Sequence, residues 1–263
     1  EIFFADKVIL YEGDTERILL PAMMKKIDQE ESDKTILPLL AQNISLLEAG
    51  ANSQLFDKFL QFIGIKTLII TDIDAGIEKK ITDKRGVERT VINEVEVKKG
   101  TTTSNNALKH YYRMPLETWG RTTLNFFKTR KKEHKILIND NGKWKQNKQG
   151  KLMVVYQTEE RKDGNKYYPR SFEDAFIFCN REFLLKNIDN FNSLQYVQKI
   201  GEKVAGTSEY KYTAYQLSKE CIKSKPAFSL EVLLCSEADE TTDFANWQIP
   251  PYIREGLEWL RED

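Results

Sequence analysis

The chain has 263 residues, and its 40 Lys or Arg residues balance 40 Asp or Glu residues, so its formal net charge at pH 7 is zero. That balance argues against a protein that coats nucleic acid with a uniformly basic surface, although it allows local basic patches. Hydrophobic residues make up 40% of the chain, which is enough for the core of one large domain or of a core domain with insertions.

The number of cysteines and the lack of long apolar runs indicate in which cellular compartment the protein resides. Cys179, Cys221 and Cys235 are odd in number and show no metal-ligand spacing, so we expect reduced thiols. No apolar run approaches the roughly 20 residues that a membrane helix needs, and we find no signal-peptide pattern. We therefore predict a cytoplasmic protein without membrane contact. Because the chain opens with Glu1, a longer protein with an N-terminal partner domain stays possible.

The first third of the chain alternates between strand and helix patterns. Residues 8–11 form a compact apolar strand, and Asp14 or Thr15 can cap the helix that follows. Residues 44–47 predict a second strand, a helix then ends at Gly64, and residues 66–70 predict a third strand. This alternation is typical of right-handed parallel crossovers.

The remaining elements are less regular. Residues 78–100 are charged and predict a hairpin or an excursion, and residues 116–132 predict a helix. A turn at residues 139–142 predicts a second hairpin. The later predictions are a strand at 153–156, a helix capped by Ser171 with Asp174 at the capping-box position, helical segments over 194–222 broken near Gly206, a helix from Pro226, and a helix over 247–260. We expect three parts: residues 1–77 as the first part of the core, 78–166 as an insertion, and 167–263 as the rest of the core with a helical C-terminal part.

Four acidic residues stand where the first and third predicted strands end. Glu12 and Glu16 follow the first strand, and Asp72 and Asp74 follow the third. Open parallel sheets build their sites at the carboxyl ends of their strands, and hard divalent cations prefer several oxygen ligands. We therefore predict a divalent-metal site. The alternative is that these are solvated loop acids and acids favoured by a helix N-terminus.

Two of these stretches resemble the signature motifs of Toprim domains. They are residues 8–16, Val-Ile-Leu-Tyr-Glu-Gly-Asp-Thr-Glu, and residues 71–74, Thr-Asp-Ile-Asp. Finer detail resembles the OLD (overcoming lysogenization defect) nuclease family, which includes the nuclease subunit of Gabija anti-phage systems. The segments that carry this narrower resemblance are 103–106, 170–176, 225–230, and Trp247 with 250–257.

The resemblance implies a fold, an activity and site residues. The fold would be an α/β, Toprim-like (Rossmann-like) parallel sheet flanked by helices, with a charged insertion. The activity would be divalent-metal-dependent DNA endonuclease cleavage, by nicking or double-strand cutting, with Mg²⁺ or Mn²⁺ and two ions in the site. The metal ligands would be Glu12, Glu16, Asp72, Asp74 and Glu173, with Glu12 also as general acid or base. Lys225, or failing that Lys223, would steady charge on the phosphate.

The resemblance also implies partners. Family members carry an ABC-type ATPase domain, so we expect such a domain at the N-terminus or as a separate chain, a multimer in the full-length form, and a helicase or another defence-system partner. This chain itself has no Walker A stretch, so it should not hydrolyse ATP by that route.

A basic stretch predicts where DNA binds. Residues 121–151 contain ten Lys or Arg against Glu133 and Asp140. We predict contacts to the DNA backbone from this stretch, with Trp144, Phe126 and Phe127 available for packing or stacking. The predicted contact residues are Lys128, Arg130, Lys131, Lys132, Lys143 and Lys145. The alternative is a solvated hairpin with a charged face. Trp119, Trp247 and Trp259 are expected in the core.

Other interpretations of single residues and of the whole chain stay open at this point. Glu173 could simply cap a helix, and Lys225 could be a solvated lysine. Residues 69–76 also resemble the aspartyl-phosphate motif of haloacid-dehalogenase-like phosphatases, with Asp72 as nucleophile and Asp74 as acid. Two strands precede that motif here, which argues against a phosphatase. A third possibility is a non-catalytic Toprim-like assembly or sensor module.

Overall fold

The structure is a computed structural model, and it describes residues 2–112, 123–162 and 164–262. The predicted alternation of the first third is confirmed: β1 is Lys7–Tyr11, α1 is Asp14–Glu30, β2 is Ile44–Glu48, α2 is Asp57–Ile63 and β3 is Lys66–Ile70. Gly64 ends α2 with a φ of 65°, a conformation that glycine adopts without steric cost.

The later elements complete the fold. The strands are β4 (Ala75–Thr82), β5 (Glu88–Glu94), β6 (Thr102–Thr103), β7 (Ile136–Asp140), β8 (Lys143–Gln146), β9 (Leu152–Val155), β10 (Glu160–Lys162) and β11 (Asn165–Tyr167). The helices are α3 (Asn106–Tyr112), α4 (Thr123–Lys128), α5 (Phe172–Lys186), α6 (Gln198–Gly201), α7 (Ala214–Glu220), α8 (Lys225–Leu234) and α9 (Pro251–Arg261).

The main sheet has six strands in the order β2-β1-β3-β9-β7-β8. Strand β1 pairs in parallel with β2 and β3, and β3 pairs in parallel with β9. Strand β7 is antiparallel to both β8 and β9. The fold is therefore an α/β fold with a mostly parallel central sheet. The expected domain boundaries stay a prediction, but three strands of the segment 78–166 pair within this sheet.

The two faces of the sheet bury different helices, as the alternation of strand side chains requires. Ile9, Leu68 and Val155 face a core that contains apolar side chains of α1, α5, α8 and α9. Val8, Ile69 and Val154 face a second core with side chains of α3 and α4. Trp247 and Trp259 are buried in the first core, as predicted, whereas Trp119 lies outside the described residues.

Two of the described hairpins lie in regions for which the sequence predicted a hairpin. Strands β4 and β5 pair antiparallel from Gly76 to Thr82 and form a charged, largely exposed ribbon that overlaps the predicted region 78–100. Strands β7 and β8 meet at Asn141 and Gly142, with φ values of 53° and 76°, so the predicted hairpin turn is confirmed.

Three local expectations differ from the structure. Residues 194–222 contain only α6 and α7, joined through a segment that includes a bridge between Lys203 and Tyr210. Within the described part of 116–132, α4 is a short helix. Helix α1 starts after Gly13 without a side-chain cap, because the Asp14 carboxylate pairs with Arg17 and the Thr15 hydroxyl bonds elsewhere.

The length and apolar character of the helices bear on membrane insertion. Over residues 2–112, 123–162 and 164–262, no helix combines the length and the apolar character that crossing a membrane would require.

Candidate functional site

Glu12 follows β1 directly and is held by donors from the neighbouring strand end. The Thr71 hydroxyl donates a hydrogen bond to Glu12 Oε1, and the Asp72 backbone N–H donates to the same oxygen over 3.1 Å. The Asn105 amide is 3.2 Å from this oxygen and also donates to Thr71 Oγ1 and to the Asp72 carbonyl. The ends of β1 and β3 are therefore tied together at Glu12.

Asp72 lies at the carboxyl end of β3 and is oriented by Gln157. The Gln157 amide nitrogen donates to Asp72 Oδ1 over 2.6 Å, while its oxygen accepts from the Ile73 backbone N–H over 2.8 Å. The same nitrogen lies 3.1 Å from the Tyr252 hydroxyl of α9. Gln157 follows β9, which pairs with β3, so the sheet itself places this side chain beside Asp72.

Asp74 has left-handed backbone geometry, with a φ of 46°, and forms an ion pair with Arg170. Nη2 of Arg170 lies 3.0 Å from Asp74 Oδ1, and Nη1 lies 3.1 Å from Glu94 Oε1. The Arg170 Nε donates to the Ala75 carbonyl over 3.1 Å. One guanidinium therefore joins the acid at the start of β4 to the acid at the end of β5.

Glu16 and Glu173 come from two different helices and are both buried. The Thr15 hydroxyl donates to Glu173 Oε1 over 2.8 Å, and the Ser171 hydroxyl donates to Oε2 over 3.2 Å. Lys225, the first residue of α8, has its Nζ 3.0 Å from Glu173 Oε1. Ser171 also caps α5 by accepting from the Asp174 backbone N–H, so the predicted N-cap is confirmed.

The charges of the predicted acids act on one another. Burial raises the pKa of the Asp72 carboxyl well above its ordinary value, and the charges of Glu12, Glu16, Asp74 and Glu173 raise it further. Burial and then the Glu173 charge raise the pKa of Glu16 to about 8. Like charges brought together away from water produce such shifts, and a cation among them would relieve the repulsion.

The donor set fits a hard divalent cation, because every predicted ligand offers carboxylate oxygens and the acids outnumber the cations Lys225 and Arg170. Protein donors already hold four of these carboxylates, those of Glu12, Asp72, Asp74 and Glu173. Among the residues that the structure describes, no three His, Cys, Asp or Glu side chains already converge as a ligand set for one ion. The side chains of Glu12, Glu16, Asp72, Asp74 and Glu173 therefore share one charged region.

Two of the predicted DNA-contact residues lie on the far edge of the main sheet. Lys143 and Lys145 are on β8, the edge strand that β7 and β9 separate from β3. The Arg130 guanidinium stacks over the Phe126 ring at 3.7 Å, and Lys132 Nζ is 3.6 Å from a Glu262 carboxylate oxygen. Lys128 is half-buried and Lys131 is exposed. Phe127 is buried in the core and packs against neighbouring rings.

Several site residues were not predicted as such. Gln157, Arg170 and Asn105 hold the predicted carboxylates, and Ser171 was interpreted only as a cap. Asn105 and Arg170 lie in segments that carry the family resemblance, so the sequence could have indicated them as site residues. Gln157 follows a buried strand without any motif, so only the pairing of β3 with β9 reveals its role.

The chain was compared with known proteins. Residues 3–74 match the family model "Overcoming lysogenization defect protein-like, TOPRIM domain". The chain is 26% identical over 261 residues to Endonuclease GajA of Bacillus cereus (strain HuB5-5), a match that covers 99% of this chain. It covers 32% of that protein, so this chain spans about a third of the length of this curated relative.

Solved structures of two OLD proteins align along nearly the whole chain. The C-terminal region of the Burkholderia pseudomallei OLD protein is 18% identical, with a TM-score of 0.48 and 98% coverage of both chains. The C-terminal region of the Xanthomonas campestris pv. campestris OLD protein is 16% identical, with a TM-score of 0.45 and coverage of 99% of this chain and 94% of that one.

The family model spans both signature motifs, from before β1 to Asp74. It therefore includes Glu12, Glu16, Asp72 and Asp74, the acids that the sheet brings to one edge. Residues 3–74 of this chain are thus similar to the TOPRIM domain of the OLD-like family.

Proposed function

We propose that this chain is a divalent-metal-dependent DNA endonuclease module. The observation that carries the proposal is the gathering of Glu12, Glu16, Asp72 and Glu173 in one region, where burial and then the charges of the other acids raise the pKa of Asp72. The similarity to a protein named Endonuclease GajA supports phosphodiester hydrolysis as the reaction class.

The proposed ligands of the metal are Glu12, Glu16, Asp72, Asp74 and Glu173. Divalent ions, two of them in our proposal, would lower the pKa of a bound water and offset charge on the leaving oxygen. Burial raises the pKa of Glu12, a direction that suits a carboxyl group that also accepts or donates a proton. The Thr71 and Asn105 donors fix which Glu12 oxygen faces the protein.

Lys225 is proposed to steady negative charge on the phosphate. Its Nζ lies 3.0 Å from Glu173, and the rest of its side chain is largely exposed, so it can reach a ligand at the surface. Lys223, the alternative from the sequence, is exposed and forms no ion pair with a described carboxylate, and its backbone N–H bonds to the Ser193 carbonyl. We therefore assign this role to Lys225.

The similarity to Endonuclease GajA also supports a proposal about substrate and partners. We propose duplex DNA as the substrate, an ABC-type ATPase domain at the N-terminus or in a separate chain, and a role in anti-phage defence. Because Lys143 and Lys145 lie on the β8 edge of the main sheet, we propose that a duplex extends across this edge. The residues proposed to bind its backbone are Lys128, Arg130, Lys131, Lys132, Lys143 and Lys145.

The test is cleavage of supercoiled plasmid by the chain, alone and with its ATPase partner, in Mn²⁺ or Mg²⁺. We expect nicked or linear product, loss of product in EDTA, and loss in an Asp72→Asn variant. Asp189→Asn changes an exposed acid remote from the site and serves as the matched control. A folded chain that never cleaves DNA with metal and partner present would contradict the proposal.

A further inference from the structure

A cavity of about 680 Å³ lies on the far part of α5, outside the carboxylate region. Its walls come from the β10–β11 hairpin, from α5 and from the segment between α6 and α7. Its size is within the range of small-molecule sites, roughly 300–1,000 Å³. Charged and aromatic side chains dominate the lining, including Lys162, Tyr167, Phe178, Arg181, Lys203 and Tyr210.

Arg181 is the central charged group of this cavity. Its side chain is only 8% exposed, and Nη2 donates to the Tyr212 carbonyl over 2.6 Å. The guanidinium stacks on the Tyr210 ring at 4.0 Å. Within the described residues, no carboxylate lies within salt-bridge distance of it, although a buried charge is normally paired. Arg181 is thus a fixed, buried cation that has no anionic partner there.

Two lysines add to the positive charge. Lys162 Nζ donates to the Cys179 carbonyl over 3.0 Å, and Lys203 Nζ lies 5.4 Å from the Tyr210 ring centre. Neither forms an ion pair with a described carboxylate. Two acids also line the cavity: Glu182 accepts a hydrogen bond from the Tyr210 hydroxyl over 2.6 Å, and Glu209 is exposed. The lining therefore contains three cationic side chains and two carboxylates, and one of these carboxylates already accepts a hydrogen bond from a tyrosine.

The aromatic side chains offer a flat surface beside these cations. Tyr167 and Phe178 stack on each other, with ring centres 4.5 Å apart and planes 16° apart. Both are half-buried and both line the cavity, so part of each ring is accessible from it. Aromatic faces next to Arg and Lys are the combination that binds a stacked base with its phosphate.

We propose that this cavity binds a nucleotide unit, with its phosphate at Arg181 and Lys203 and its base against the Tyr167–Phe178 pair. The unit has two chemical sources: a free mononucleotide, or one residue of a single DNA strand. The proposal does not depend on the proposed nuclease function, because binding here uses none of the predicted metal ligands.

The cavity is nevertheless connected to the carboxylate region through α5. The Tyr167 hydroxyl donates to Asp174 Oδ1 over 2.6 Å and accepts from the Tyr215 backbone N–H over 2.8 Å. Asp174 directly follows Glu173, so a ligand that moves the Tyr167 ring would act one residue away from a predicted metal ligand. This connection explains how an occupied cavity could influence the site.

The test is calorimetric titration of the whole chain in EDTA, so that no metal can bridge a phosphate to the carboxylates. The probes are dAMP, deoxyadenosine, inorganic phosphate and a short single-stranded oligo-dA. We expect dAMP or the oligonucleotide to bind more tightly than deoxyadenosine or phosphate alone. Binding of dAMP identifies a free mononucleotide as a sufficient ligand, and binding of the oligonucleotide alone identifies the DNA strand.

The variants assign the binding to this cavity. Arg181→Gln and Lys203→Ala should each weaken binding about tenfold or more, the effect of losing a charge-assisted hydrogen bond. Lys34→Ala removes an exposed lysine elsewhere and should leave the affinity unchanged. Lys203 is exposed, so its variant tests the proposal even where Arg181→Gln fails to fold.

Two results would overturn the proposal. One is a wild-type chain that binds neither dAMP nor oligo-dA. The other is binding that is unchanged by Lys203→Ala. Loss of plasmid cleavage with dAMP binding retained would count against the nuclease proposal and leave this one standing.

Discussion

Gln157 donates a hydrogen bond to Asp72 Oδ1 over 2.6 Å and accepts one from the backbone N–H of Ile73. One amide thus fixes both the side chain of Asp72 and the backbone that follows it. Asp72 follows β3, and Gln157 follows the neighbouring strand β9. The pairing of these two strands therefore positions Gln157 to orient the Asp72 carboxylate.

Removing this amide should weaken metal binding. In a Gln157→Ala variant, Asp72 loses the donor that orients it, and the loss of such outer partners typically lowers metal affinity about 10- to 100-fold. Calorimetric titration with Mn²⁺ measures the change, with Gln149→Ala, an exposed loop glutamine, as control. An unchanged affinity in a folded Gln157→Ala variant would mean that Asp72 needs no support from β9.

Lys225 and Lys223 can be distinguished by mutation. Because Lys225 lies 3.0 Å from Glu173, Lys225→Ala should lower plasmid cleavage about 100-fold, the usual effect of losing one group that stabilises charge in the transition state. Metal affinity should fall much less. Initial cleavage rates and Mn²⁺ titrations of the same preparations measure both. A larger loss of rate in Lys223→Ala than in Lys225→Ala would contradict this assignment and indicate that Lys223 stabilises the charge.

Glu160 should make stability depend on pH. Its side chain is 6% exposed, one oxygen accepts a weak hydrogen bond from the Cys179 thiol, and burial raises its pKa to about 8. A raised pKa in the folded state means that the stabilising contribution is fully present below the ordinary pKa of 4.5 and is lost as pH rises through 8. Between these values, the wild type should lose up to about 1.4 kcal/mol per pH unit through this group.

Urea unfolding at several pH values tests that expectation. The free energy of unfolding of Glu160→Gln should rise relative to that of the wild type from about pH 5 to about pH 8. Glu159→Gln is the matched control, because hydrogen bonds from Tyr168 and Arg161 lower the pKa of Glu159 to about 2. The difference in free energy of unfolding between Glu159→Gln and the wild type should stay constant over the same pH range. If plots of the free energy of unfolding against pH ran parallel for the wild type and Glu160→Gln, Glu160 would be ionised in the folded protein and the prediction would be wrong.

Gly256 lets α9 lie close to the main sheet. A Cβ atom at this position would be 2.8 Å from Leu68 Cδ1 and 3.1 Å from both γ carbons of Val155. Gly256→Ala should therefore lower the free energy of unfolding by about 1–3 kcal/mol through overpacking, despite the better helix propensity of alanine. Thermal and urea unfolding measure it, with Glu258→Ala on the half-exposed side of α9 as control. A more stable Gly256→Ala protein would show that the helix can move outward freely.

The sequence predicted the parts of the site that depend on local order. Glu12 and Asp72 each follow a short apolar strand, and parallel strands bring their carboxyl ends to one edge, so their proximity follows from the strand pattern alone. The bounds of β1 and β3 were predicted within a residue for the same reason.

The other parts depend on contacts between distant segments. Gln157 is placed by the pairing of β3 with β9, and Arg170 joins acids that lie on two strands of the β4–β5 hairpin. The apolar period of residues 194–222 predicted helices. There, aromatic rings such as Tyr210 instead stack on Arg181 of α5, and tertiary packing overrides local propensity.

Metal binding by the chain tests the central claim most directly, because it requires no partner and no chosen DNA. Calorimetry with Mn²⁺ and Mg²⁺ should be run on the wild type, Glu12→Ala, Asp72→Ala and the Asp189→Asn control, and repeated with a short duplex present. We predict binding by the wild type and the control and loss of binding in the Glu12 and Asp72 variants. A folded wild-type chain that binds neither ion, with or without DNA, would contradict the account and indicate a non-catalytic module.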